Sequence, residues 1–172
     1  MKYKLSCALV LLVLLSACDK YLEREPDNRA KLTDPAKVSQ LLASAYPQGS
    51  YMPFTEAMSD NAGDKGTGEA DVTNSAPYAF ESVSNSEQDS PDYYWYACYT
   101  AIASANQALQ ACNAATNPED YQSQKGEALV ARAYAHFMLV TLYAKPYDPA
   151  TAASNPGIPY VTEPETVVNK QY

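Results

Sequence analysis

The run from Pro91 to Ala144 is broken by one proline, Pro118, and that single break points to two long helices laid back to back. Ser90-Pro91 offers a side-chain oxygen to the free N–H groups of a first turn and a φ already set for it. The helix it opens carries Trp95, Tyr99, Ile102, Asn106, Leu109 and Asn113, stepping by four, three, four, three and four, so this stripe is expected to face a core. Asn117-Pro118 repeats the opening signal for a helix to about Ala144. There Leu129, Val130, Ala133, Tyr134, Phe137, Met138, Val140 and Leu142 lie nearly all round the axis, the pattern of a helix buried between neighbours. The short joint at Thr116 to Pro118 makes the pair antiparallel, an αα-hairpin. A helix apolar on most sides needs more partners than this sequence supplies, so the chain is expected to be the N-terminal part of a longer protein.

Upstream, Asp34-Pro35 opens a further helix with Val38, Leu41, Leu42 and Tyr46 at helical spacing, ended by Pro47. From Gly49 to Ser90 the chain is rich in Gly, Ser, Asn, Asp and Pro without sustained periodicity. It reads as a long loop region, with room for short pieces of structure. After Pro146 the proline-spaced tail holds at most one short strand, Ile158 to Thr162. The fold class is therefore all-α, with helical hairpins and long loops.

The N-terminus addresses the chain to a membrane. Lys2 and Lys4 precede an apolar stretch from Ala8 to Leu15 that ends in small residues, which is a signal peptide. It is too short to span hydrocarbon about 30 Å thick. Leu15-Ser16-Ala17-Cys18 resembles the lipobox that lipoprotein signal peptidase reads, which makes residues 1–17 the signal, Cys18 the lipidated first residue, 18–33 a tether and 34–172 the folded part. The alternative is a plain secretory peptide with an incidental cysteine. Loss of residues 1–17 removes two lysines and no acid, taking the formal charge from −8 to −10. Such a balance argues against nucleic acid, whose phosphates need clustered Lys and Arg. Of the remaining cysteines, Cys98 and Cys112 would sit about 21 Å apart on one helix at 1.5 Å per residue, too far for a disulfide. They read as small buried hydrophobes.

In order along the chain, several pieces resemble the SusD/RagB family of outer-membrane nutrient-binding lipoproteins. These are Cys18 to Glu23 with Pro26, Ala45-Tyr46 at a helix end, Ser59-Asp60, and the stretch Tyr99 to Asn106. The strongest match is Gly126-Glu127-Ala128 with Arg132-Ala133, Phe137 and Leu142-Tyr143, followed by Gly157-Ile158-Pro159-Tyr160-Val161. Family members are several times longer, and their C-terminal half is absent. The resemblance implies a largely helical, tetratricopeptide-like scaffold under a loop-rich ligand face. It implies capture of an oligosaccharide or peptide at the cell surface and delivery to a SusC-like TonB-dependent transporter. No cofactor and no catalysis are implied. A membrane-tethered helical scaffold for protein partners, without nutrient binding, is the alternative.

Fifteen tyrosines supply apolar faces with hydroxyls, suited to packed helices and to carbohydrate surfaces alike. Trp95, Tyr51, Phe54, Tyr78 and Phe80 are the candidate ligand-binding aromatics. Against Trp95 stands its register with Tyr99 and Ile102, which favours the core. Asn106 on the apolar stripe is expected to bond to nearby backbone, since an unpaired buried amide costs ~1–3 kcal/mol. Glu127 and Arg132, five apart, are expected each to meet another helix or loop as scaffold charges. Asp60, Asn61, Asp64, Glu69 and Asp71 are oxygen donors of the kind Ca²⁺ takes, but their spacing matches no EF-hand loop and a solvated loop is the favoured reading. The single histidine, His136, lies mid-helix, and no G-x-S-x-G motif accompanies it.

Overall fold

The computed structural model describes residues 32–66, 68, 72–83 and 86–165. The signal, Cys18, most of the tether, Glu69 and Asp71 lie outside them. Among the described residues the structure is all-α, with no strand. Its helices are α1 (Pro35–Leu42), α2 (Met52–Ala57), α3 (Val72–Tyr78), α4 (Pro91–Ala114) and α5 (Gln122–Tyr143). The loop region therefore holds two short helices, α2 and α3, packed on each other.

The caps explain where α1 and α4 begin. The Asp34 carboxylate accepts a bond from the Lys37 N–H at 2.9 Å, and the Ser90 hydroxyl accepts one from the Tyr93 N–H at 3.1 Å. Asn117 makes no such cap. There Pro118–Tyr121 forms a 3₁₀ turn first, which swings Tyr121 into the core beside Cys112 and Ala128, and α5 starts only at Gln122. The first helix likewise stops short of its expected end. Tight turns from Leu41 and Leu42 bury Ala45 and leave Tyr46 39% exposed.

Helices α4 and α5 form the expected antiparallel hairpin. The Tyr143 hydroxyl, at the end of α5, donates to the carbonyl of Pro91 at the start of α4 (2.8 Å). The packing along it differs from expectation. Ile102, Asn106 and Leu109 are buried as predicted, but the deepest positions of α4 include Tyr94, Cys98, Ala101, Ala105, Ala108 and Cys112, while Asn113 is exposed. Trp95 and Tyr99 are half-buried at its flank. In α5 the prediction holds only in part: Met138 is buried as expected and Leu142 packs on the core. Ala128, Ala131 and Ala135 are fully buried, whereas Val130 is 65% and Phe137 62% exposed. Alanine faces let the two helices lie close, and α1 seals one end of the hairpin with Val38 and Leu42. Phe54 of α2 closes the other end with Tyr94, Ile102, Met138, Leu139 and Val161. Cys98 and Cys112 are buried free thiols, and burial pushes the Cys98 thiol up to about 11.

The segment expected as a strand, Ile158 to Thr162, pairs with no strand and lies as an extended strap across the hairpin. Its backbone polar groups are bonded by side chains instead. The Asn106 amide donates to the carbonyls of Val161 (3.2 Å) and Glu163 (3.3 Å) and accepts from the Arg132 guanidinium (3.0 Å), which also donates to the Thr162 carbonyl (2.9 Å). The Val161 N–H donates to His136 Nε2 at 3.1 Å, and the other ring nitrogen, Nδ1, donates to the Arg132 carbonyl at 2.9 Å. Arg132 thus meets another helix and a loop as expected. Glu127, by contrast, is exposed on the outer side of α5.

This bonding fixes His136 as the neutral Nδ1–H tautomer, and burial, with the Arg132 cation beside it, lowers its pKa. Protonation at Nε2 would remove the acceptor of the Val161 N–H. A lowered folded value means that the stabilisation is complete above the unfolded value, about 6.5, and declines as pH falls below it. Urea unfolding followed by circular dichroism should show stability falling from pH 7 to the acid side of that value. The loss should be reduced in His136→Gln; equal pH dependence in both proteins would refute the assignment.

Candidate functional site

The structure separates the five candidate aromatics. Phe54 is 3% exposed and belongs to the core, so it presents no surface to a ligand. Trp95 packs against Tyr99 (ring centroids 5.0 Å apart) and edge-on to Tyr143 (5.1 Å), and Tyr51 stands edge-on to Tyr94 (5.7 Å). These rings fill the flank of the α4–α5 hairpin. Burial drives the Tyr99 phenol up to about 12 and raises Tyr94 and Tyr143 further, so all three stay protonated donors at any physiological pH. Tyr78 and Phe80 turn outward, 44% and 74% exposed. The five residues do not form one site.

Tyr78 ends α3 and walls a groove of about 440 Å³ between α2 and α3, together with Asp64, Lys65, Asn74 and Ser75. Asn74 and Tyr78 are one helical turn apart and so share a face. The loop beneath is folded by its own side chains. Asp64 Oδ1 accepts from the Gly66 N–H at 2.7 Å, and the Asp64 N–H donates to the Tyr78 hydroxyl at 3.4 Å. Accepting that bond leaves the phenol its own proton to give. A flat ring beside carboxylate, amide, ammonium and hydroxyl groups is the furniture that orients a polyhydroxylated ligand: the ring takes C–H faces and the polar groups exchange hydrogen bonds. Lys65, Asn74 and Ser75 escaped the sequence reading, although the four-residue step from Asn74 to Tyr78 was there to be seen once α3 was recognised. Among the described residues no group of three or more His, Cys, Asp and Glu side chains could hold a metal ion.

Phe80 caps α3 in an unusual way. The Glu81 N–H donates to the Ala76 carbonyl (2.8 Å) and the Phe80 N–H to the Pro77 carbonyl (2.9 Å), a Schellman closure with Phe80 in the left-handed region at φ 56. Glycine normally takes that position, because a side chain there is strained. Folding alone does not account for an exposed phenylalanine at this point, and such strain collects at functional surfaces.

The single histidine has both ring nitrogens engaged by backbone groups, so it is not available as a general base.

A family model described as starch-binding and associating with the outer membrane matches residues 20–171, most of the chain. The chain belongs to the SusD-like family. No curated protein and no solved structure matches it significantly. For a SusD-like protein the observed division is coherent: a helical base with a polar, aromatic groove on its loop side. No described helix is long and apolar enough to cross a membrane.

Replacing Phe80 by Gly should relieve the left-handed strain and raise the unfolding free energy by about 1 kcal/mol, measured with urea. A fall in stability would show instead that the ring contributes packing.

Proposed function

We propose that this SusD-like chain is a lipid-anchored binding protein at the cell surface that captures an oligosaccharide, or a peptide, and delivers it to a SusC-like TonB-dependent transporter in the same membrane. Lipid on Cys18 holds it there. It acts by binding, without turnover. The observation that carries the reading is the family match over residues 20–171 joined to a loop-side groove in which Tyr78 stands beside Asp64, Lys65, Asn74 and Ser75. The groove has the volume of ordinary small-ligand sites, about 300–1,000 Å³. A second reading, a tethered scaffold for protein partners, draws on the outward apolar row of α5, where Val130, Tyr134 and Phe137 are 65%, 43% and 62% exposed.

Isothermal titration of the mature chain with starch-derived oligosaccharides distinguishes the two. Capture gives heat of binding that Tyr78→Ala weakens about tenfold, the loss of one stacking face. No heat with glycans or peptides supports the scaffold instead. The anchor is checked separately: cells fed labelled palmitate should label the protein, and Cys18→Ser should abolish the label. An unlabelled wild-type protein would remove the anchor from the proposal.

A further inference from the structure

On the far side of the Tyr46 turn from α5 lies a second groove, about 430 Å³, floored by α4. Its α4 lining is Tyr93, Tyr96, Ala97 and Thr100, the spacing of one helical face, and this face points away from the core stripe of Tyr94, Cys98 and Ala101. Ala97 is the low point between two tyrosines and a threonine, and it makes the face concave. Tyr46 and Gln48 form the opposite wall.

Three observations give the groove a chemical character. First, its rings are presented to solvent: Tyr96 is 65% and Tyr46 39% exposed. Second, its polar lining among the described residues is uncharged, with hydroxyls from Ser44, Ser86 and Thr100 and an amide from Gln48. Third, its walls are held in place before any ligand arrives. The Tyr93 ring lies so close over Gly49 that a methyl group there would meet Cε1 at 3.0 Å. The Gln48 amide N–H donates to the Tyr46 carbonyl at 3.2 Å, which leaves its oxygen as an acceptor. The Ser44 hydroxyl, 3.1 Å from that of Ser104 on α4, ties the turn to the helix.

From these we infer a second ligand site on this chain, the groove between Tyr46 and Tyr96, selective for a neutral oligosaccharide. The proposal rests on the glycan-capture reading above. Tyrosine faces accept the C–H faces of a sugar ring, and hydroxyl and amide groups exchange hydrogen bonds with its hydroxyls. A uronate or sulfated sugar would bring an anion to a wall with no Lys or Arg among the described residues, on a protein of net charge −8. The Tyr78 groove, with Asp64 and Lys65 in its wall, lacks that restriction. Rigid walls lose little freedom on binding, so modest contact area suffices.

The test is titration of the mature chain with maltohexaose and, in parallel, with a hexamer of galacturonic acid. The variants are Tyr96→Ala, which removes an exposed ring, and Ala97→Leu, which fills the floor with a good helix former; circular dichroism checks that each folds. The site is supported if both variants weaken maltohexaose binding about tenfold while Tyr78→Ala leaves a residual binding event that they abolish. Maltohexaose binding within twofold of wild type in both variants overturns the second site and leaves glycan capture standing. Equal affinity for the galacturonic acid hexamer overturns the selectivity for neutral sugars. No binding of either sugar by the wild-type chain overturns capture and this site together.

Discussion

One buried amide organises the molecule. Asn106 is 1% exposed in the middle of α4, and every polar atom of its side chain is engaged, with the nitrogen on two strap carbonyls and the oxygen on Arg132 of α5. Three chain segments far apart in sequence are thus referred to one side chain. The strap from Pro159 to Glu163 has no ladder partner among the described residues, and the backbone of Val161, buried at its middle, would be costly to leave without partners. Asn106, Arg132 and His136 replace the missing strand, while Tyr99 adds a bond to the Pro159 carbonyl at 2.9 Å. Because the network is fully satisfied, it fixes one register of strap on hairpin, where a purely apolar contact would tolerate sliding. Val161 is consequently placed in the core beside Leu139 and Ile102.

That dependence was partly visible in the amino-acid order. An asparagine on an apolar stripe asks for backbone partners, and it has them. The two caps at Asp34 and Ser90 were equally legible, because capping is local and needs only a side-chain oxygen and a proline. The core faces of α4 and α5 were not. Periodicity weighs large apolar residues, so it chose Trp95, Tyr99, Leu129 and Phe137, whereas the helices meet through Ala101, Ala105, Ala128, Ala131 and Ala135. Alanine carries little hydrophobic weight yet allows close approach, and only knowledge of which helix lies opposite can distinguish an alanine seam from an alanine surface. The cap at Asn117 failed for a related reason. Burial of Tyr121 is a tertiary gain, and it substitutes a 3₁₀ turn for the expected α-helical start.

The aromatic residues show the same limit at the candidate site. Tyrosine is ambivalent in sequence because its ring serves the core and its hydroxyl serves water. In the structure the rings in contact with the hairpin, Tyr51, Tyr94, Trp95, Tyr99 and Tyr143, pack in pairs, and the hydroxyls of Tyr99 and Tyr143 donate to backbone carbonyls. Among those left outside, Tyr46, Tyr78, Phe80 and Tyr96 are borne by turns, by a helix end or by the outer face of α4. Of the five aromatics singled out from sequence, only Tyr78 and Phe80 fall in this outer group, because the loop that carries them holds a helix too short for periodicity to register.

The short turn that carries Tyr46 is rigidly supported. The turn from Tyr46 to Ser50 is pinned at both ends: Ala45 is buried in the α1 core, and the Ser50 N–H donates to the Asp89 carboxylate at 2.6 Å. Asp89 sits in the left-handed region at φ 63, a conformation that aspartate tolerates better than most residues, and it immediately precedes the Ser90 cap of α4. The cap that starts the longest helix and the turn that carries Tyr46 are therefore locked through adjacent residues. A displacement of that turn would disturb the first turn of α4, where Tyr93 and Tyr94 lie against Gly49. The same geometry that closes the core thus sets the spacing of the exposed tyrosines, so that their positions follow from the packing of the hairpin and are not free to drift with the loop.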